Sequence, residues 1–350
     1  MFLCFAVQKE KRRLKYILPF CFLLLTFFFS IRYDYGLDYH NYLDAFVSGK
    51  ASARGAGDQE VDAFFYTFLH FFGKFYIFII VHTIIVFSAL YYLTKKYCDN
   101  RYYILFFFLL LTQNGLIFNM ISALRSTLAA VVLWLALDFF YINKKRWIPY
   151  VLLVVFASLF HTSVILFLFL PLVDFLVLKI KPRTLFFIIA ASSIIPMFFA
   201  NTIIDTAVSN VDAFQIYEDY TQSDFTSNLT GVLIRALWLF PTFFIIKHSE
   251  EFKNKNQGLY VISILFITIY IINMDWQDRF STYLKIFWVF AFSIIAPKLN
   301  PSQKIIALVP LVTAVLFSFY QFVTSMYIEY MFSEGNYLYF HTIFEVPRLP

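Results

Sequence analysis

Charge is what this sequence has least of. Only 14% of its 350 residues are Asp, Glu, Lys or Arg, roughly half the share usual in a soluble domain. Mean hydropathy is +0.71, which excludes an ordinary soluble globular chain. The alternation over about ten residues that marks an outer-membrane barrel strand is missing too. Cysteine is scarce: Cys4, Cys21 and Cys98 have no metal-ligand spacing and make a disulfide framework improbable. Several catalytic signatures are absent as well. Without Asp-x-Asp there is no metal–nucleotide clamp, and without a P-loop, HExxH, GxSxG or paired CxxC there is no sign of ATP use, zinc chemistry or a serine-hydrolase elbow. No metal and no cofactor are expected.

What is present is apolar length. Hydrophobic residues make up 61% of the chain, with 48 Phe, 24 Tyr and 5 Trp. Runs long enough to cross a bilayer recur, so the fold expected is all-α and polytopic, one transmembrane domain over residues 1–350. About eleven spans can be drawn: 16–31, 75–94, 102–118, 120–142, 147–160, 162–178, 184–200, 229–246, 258–272, 280–296 and 305–322. Between them lie two larger loops, about 32–74 and 201–228, and a tail, about 324–350. The loop 32–74 reads as long and polar. The basic stretch KEKRRLK before the first span is followed by no small-residue cleavage site, so that span is read as uncleaved, with its N-terminus cytoplasmic. Most of the 28 basic residues then fall in cytoplasmic segments, as the positive-inside rule requires. The net charge of +6 is therefore an orientation signal, and no nucleic acid is expected as a partner.

In this topology three arginines, Arg125, Arg235 and Arg279, lie near the outer ends of spans. Arg125 sits about five residues inside its span, roughly 8 Å at about 1.5 Å per residue. The bland alternative for each is snorkelling to the headgroups. An intramembrane charge is by default a site hypothesis, and guanidinium forks suit phosphate oxygens, so a lipid diphosphate is the expected ligand. The first outer loop adds Arg32, Asp34, Asp38, His40 and Glu60. His161 stands alone at the turn between the two short spans 147–160 and 162–178. Asp275 and Asp278 flank Trp276 in a loop just before Arg279, a combination suited to a sugar.

Four stretches carry a resemblance. They are RYDYGLDYHNYLDAF with Glu60 beyond it, NMISALRSTLAAVVLWLAL, KKRWIPYVLLVVFASLFHTSVILFLFLPL and DRFSTYLKIFWVF. Together they resemble the EpsG-type branch of the Wzy O-antigen and exopolysaccharide polymerases. Ala-Leu-Arg-Ser stands where that branch has Ile-Arg-Gln, so no glutamine role is carried over beside Arg125. The resemblance implies a glycosyltransferase of the bacterial cytoplasmic membrane that joins oligosaccharide repeat units carried on undecaprenyl diphosphate, working at the outer face beside a membrane protein that regulates chain length. Arg125, Arg235 and Arg279 would hold the diphosphate, and His161, Glu60 or Asp38 would act as base. Asp275, Trp276 and Asp278 would meet sugar. The rival readings are a flippase or transporter for lipid-linked oligosaccharide and a membrane polysaccharide O-acetyltransferase.

Overall fold

The basic residues from Lys11 run straight into the first apolar stretch, and the two form one helix. In the computed structural model, which describes residues 11–33, 35–36, 38–49, 63–112, 116–142, 146–192, 229–253, 255–272, 275–324 and 341–342, helix α1 spans Lys11–Ser30. Strand β1, Arg32–Tyr33, follows, then α2, Tyr39–Ser48, and α3, Ala63–His70. Next come α4, Phe75–Tyr97, α5, Tyr103–Thr112, and α6, Leu116–Ser122. Helix α7, Leu124–Ala136, runs on through a π turn, Leu137–Ile142, and α8, Trp147–Ser158, leads to a 3-10 segment, Thr162–Phe169. The remaining helices are α9, Leu170–Lys179, α10, Pro182–Ser192, α11, Leu229–Ala236, α12, Leu239–Lys247, α13, Gln257–Ile272, α14, Asp275–Ile295, and α15, Pro301–Thr324. Strand β2, His341–Thr342, closes the order and pairs antiparallel with β1.

This is a helical membrane protein. Among the described residues four helical stretches are long and apolar enough to cross a bilayer: Phe75–Tyr97, Leu124–Ile142, Thr162–Lys179 and Pro301–Tyr320. Five further apolar helices are shorter, at Tyr16–Ser30, Asn100–Thr112, Trp147–Ser158, Pro182–Ser192 and Gln257–Ile271. The chain divides into two compact units, residues 1–170 with 318–350, and residues 171–317.

In the first unit α1 packs along α4, with Phe22 and Phe29 against Phe87 at ring distances of 6.5 and 5.8 Å. The described parts of the stretch 32–74 hold strand β1 and two short helices with aromatic packing: Tyr42 meets Phe65 at 5.6 Å, Phe65 meets Phe78 of α4 at 5.9 Å, and Phe46 stacks on His70 at 5.1 Å. The polar residues of that stretch hid a periodic apolar face, because each helix is too short for its pattern to stand out. Residues 147–158 and 162–169 form a hairpin. Its two arms are tied by the Tyr150 hydroxyl donating to the Phe167 carbonyl at 2.8 Å, which satisfies a backbone acceptor that lipid cannot.

The span expected at 120–142 is also different, being broken. Helix α6 ends at Ser122, and Ala123, with φ −86° and ψ 72°, starts α7 afresh. Arg125 is therefore the second residue of a helix rather than a residue five places inside one.

In the second unit α13 and α14 pair along their lengths. Trp238 anchors them, 4.7 Å from Trp288 and 5.2 Å from Tyr270. The span expected at 229–246 is two helices, α11 and α12. Pro241 has no N–H to give the Leu237 carbonyl, and that carbonyl takes the Phe240 amide instead at 3.4 Å. The loop expected before Arg279 is shorter than read, since α14 is already helical from Asp275.

Candidate functional site

Breaking a helix in an apolar environment strands backbone groups, and every one of them needs a partner. At Ala123 the carbonyls of Met120 and Ile121 lose the amides of Leu124 and Arg125, their partners in an unbroken helix. Thr127 Oγ1 donates to Met120 O at 2.9 Å, and Arg32 Nη2 donates to Ile121 O at 3.2 Å. On the next turn His82 Nε2 lies 3.3 Å from the Leu124 carbonyl. Three chain segments thus converge on one kink.

The first loop closes over the other side of the kink. Gly36 has φ +117°, and a Cβ there would lie 3.1 Å from Ser122 Cα. The Asp38 amide donates to Ser122 Oγ at 3.3 Å. Asp38 holds the N-cap position of α2, half-buried. One turn along lies the buried Tyr42, whose phenol is pulled electrostatically by Arg125. Burial raises the Tyr42 phenol to about 12, and Asp38 pushes the same way against the opposing pull of Arg125, so the phenol stays neutral at working pH. Gly36→Ala is expected to lower stability by about 1–3 kcal/mol, read as a lower unfolding midpoint in detergent. A midpoint equal to that of the native chain would mean that the loop does not sit on Ser122.

The structure therefore brings together Asp38 and Arg125, two of the residues singled out in the sequence, and adds Tyr42, which was not. Arg125 is half-buried and stands on the first turn of a helix, whose N-terminal pole favours an anion. A guanidinium fork at that pole can take phosphate oxygens, and the carboxylate of Asp38, which acts on the same Tyr42, can take a proton.

His161 sits on a separate element of the same unit. It is half-buried at the hairpin turn, in extended backbone at φ −156°, and it caps the Thr162–Phe169 segment through its carbonyl, which accepts the Val164 amide at 3.2 Å. Its neighbour Phe160 is clamped by Phe64 and Phe68 of α3 at 5.1 and 5.7 Å. The hairpin in turn packs against α7. Glu60 and Asp34 lie outside the described residues.

In the second unit Arg235 is half-buried in the last turn of α11, just before the Leu237–Trp238 break. Asp275, Trp276, Asp278 and Arg279 occupy the opening turns of α14, and their side chains lie outside the described ones. Lys285, further along α14, is 1% exposed, with Nζ 5.6 Å from the centre of the Tyr270 ring. Two charges in the middle of apolar runs were thus missed in the sequence, Lys285 and Asp138, although a lone charge within a span is itself a signal. Asp138 is fully buried in the π turn and holds Lys96 Nζ at 2.7 Å and the hydroxyls of Tyr92, at 2.9 Å, and Tyr97.

Among the described residues no group of three or more His, Cys, Asp or Glu is arranged to hold a metal ion. Compared with known proteins, the family model described as "EpsG family" matches residues 15–339. No curated protein and no solved structure matches.

Proposed function

From the premise that the chain belongs to the EpsG family, membrane proteins of the polysaccharide-polymerase type, we propose that it is a glycosyltransferase joining undecaprenyl-diphosphate-linked oligosaccharide repeat units at the outer face of the bacterial cytoplasmic membrane. The observation that carries this reading is Arg125 on the opening turn of α7, with Tyr42 in the electrostatic reach of both Arg125 and Asp38. The donor is the growing chain, linked through its reducing-end sugar to the lipid diphosphate. The acceptor is a hydroxyl of the next repeat unit. The bond between the sugar's anomeric carbon and the diphosphate oxygen breaks, and a bond from that carbon to the acceptor oxygen forms. The acceptor's proton passes to a base, and the diphosphate departs on its lipid. Arg125 binds the diphosphate and stabilises its growing charge, as fixed donors do for developing oxyanions.

Asp38 is the proposed base, because it acts on the same Tyr42 as Arg125, with His161 and Glu60 as the alternatives. Arg235 and Arg279 are proposed as further phosphate contacts, and Asp275, Trp276 and Asp278 as sugar contacts, each open to single substitution. The sugar–diphosphate bond supplies the energy, so neither nucleotide nor metal is required. A membrane protein that regulates chain length is the expected partner.

The glycan of a cell lacking this chain tests the class of activity. Loss of a polymerase leaves single repeat units on surface lipid, the result expected here. Their complete absence would point to a flippase, and full-length polymer lacking acetyl groups would point to an O-acetyltransferase.

A further inference from the structure

Arg32 follows the first apolar run directly and was read from the sequence as one of several polar loop residues. The structure buries it to 1% exposure. Its Nη1 donates to the Phe29 carbonyl at 2.7 Å and to Thr83 Oγ1 at 2.8 Å, and its Nη2 to the Ile121 carbonyl at 3.2 Å. All three acceptors are neutral, and Nε has no partner. Burial lowers its pKa to about 10, so the group is still charged at neutral pH. A buried guanidinium held by neutral acceptors, with Nε unpaired among the described residues, is a poor device for stability alone.

What Arg32 does accomplish is an exchange of partners. In an unbroken helix the Ile121 carbonyl would receive the Arg125 amide. Here Arg32 occupies that carbonyl, and the Arg125 amide is left to the loop side, where Arg125 acts on the Tyr42 phenol. The Arg32 bond to Ile121 thus takes the place of the one that would have closed the helix. His82 braces the same kink from α4 through the Leu124 carbonyl. We infer that Arg32 is a positioning residue for the transfer reaction, holding the helix open at Ala123 so that Arg125 presents its amide and fork on the loop side of the kink. The inference rests on the proposed role of Arg125 as the diphosphate contact.

The test is a cycle of variants of the full chain in lipid nanodiscs, with undecaprenyl diphosphate as the probe and affinity measured per folded molecule. Arg32→Met is expected to weaken binding about tenfold or more although Arg125 is still present. In an Arg125→Ala background it should weaken binding no further, because residues acting through one contact are not additive. Arg32→Lys keeps the charge and gives a single donor head in place of the fork. It is expected to retain the fold and to bind with an intermediate affinity, and it carries the same test should Arg32→Met not fold. Unchanged affinity in Arg32→Lys and Arg32→Met, or an equal further loss in the Arg125→Ala background, would overturn the inference. If Arg125→Ala itself binds like the native chain, it is the proposed function that fails.

Discussion

Replacing Arg125 with alanine is expected to abolish long-chain glycan while leaving the protein in the membrane in normal amount. The side chain is half-buried and at the start of a helix, so its removal opens no core cavity. Its loss of function should instead be chemical. A fixed donor aimed at developing negative charge is worth about 10²–10³ in rate, and each polymer needs many successive transfers, so a loss of that size per transfer removes the long products entirely. Arg125→Lys should fall between, because lysine keeps the charge but loses the fork and so cannot bind two phosphate oxygens at once. Immunoblots of membranes beside gels of the surface glycan check both points together. Full-length polymer from the alanine variant would remove Arg125 from the mechanism.

The second large effect is on stability and concerns Asp138. Its carboxylate is fully buried, with Lys96 and the hydroxyls of Tyr92 and Tyr97 as partners. Lys96 itself is 34% exposed. The two ends of this ion pair are therefore unequal. Lys96→Met strands a charge in the core, and breaking a buried pair that way costs about 3–5 kcal/mol. The two remaining phenol donors set the expected value at the lower end of that range. Asp138→Leu instead releases a lysine that can turn to solvent, and it should cost less. Thermal unfolding in detergent should rank the native chain first, Asp138→Leu second and Lys96→Met last. Equal midpoints for Lys96→Met and the native chain would mean that the pair does not hold α4 to the π turn.

Several elements could be read before any coordinates were in hand. The runs 75–94, 147–160, 258–272 and 305–322 lie within or nearly within α4, α8, α13 and α15, because an apolar run in lipid leaves a backbone little choice but a helix. Arg125 stood out for the same reason, a charge in hydrocarbon. The break at Ala123 did not, since no Pro or Gly marks it. It is stabilised from outside by Arg32, 89 residues from Ile121, and by Tyr42, and such distant partners leave no trace in local periodicity. For the same reason Arg32 read as a loop residue and turned out buried. Pro241 did mark a break, but a proline kink within a span and a proline that ends one look alike in sequence. Asp138 and Lys285 were readable in principle and were masked by the bulk of Phe and Leu around them.

Reconstitution tests the account most directly. The full chain is placed in lipid nanodiscs with a defined undecaprenyl-diphosphate oligosaccharide, without nucleotide, and the products are weighed by mass spectrometry. The account predicts a ladder rising by one repeat unit per step, one undecaprenyl diphosphate released per bond formed, and no ladder from Arg125→Ala. A native chain that leaves the oligosaccharide unjoined, or an Arg125→Ala variant that builds the ladder as fast as the native chain, would contradict it.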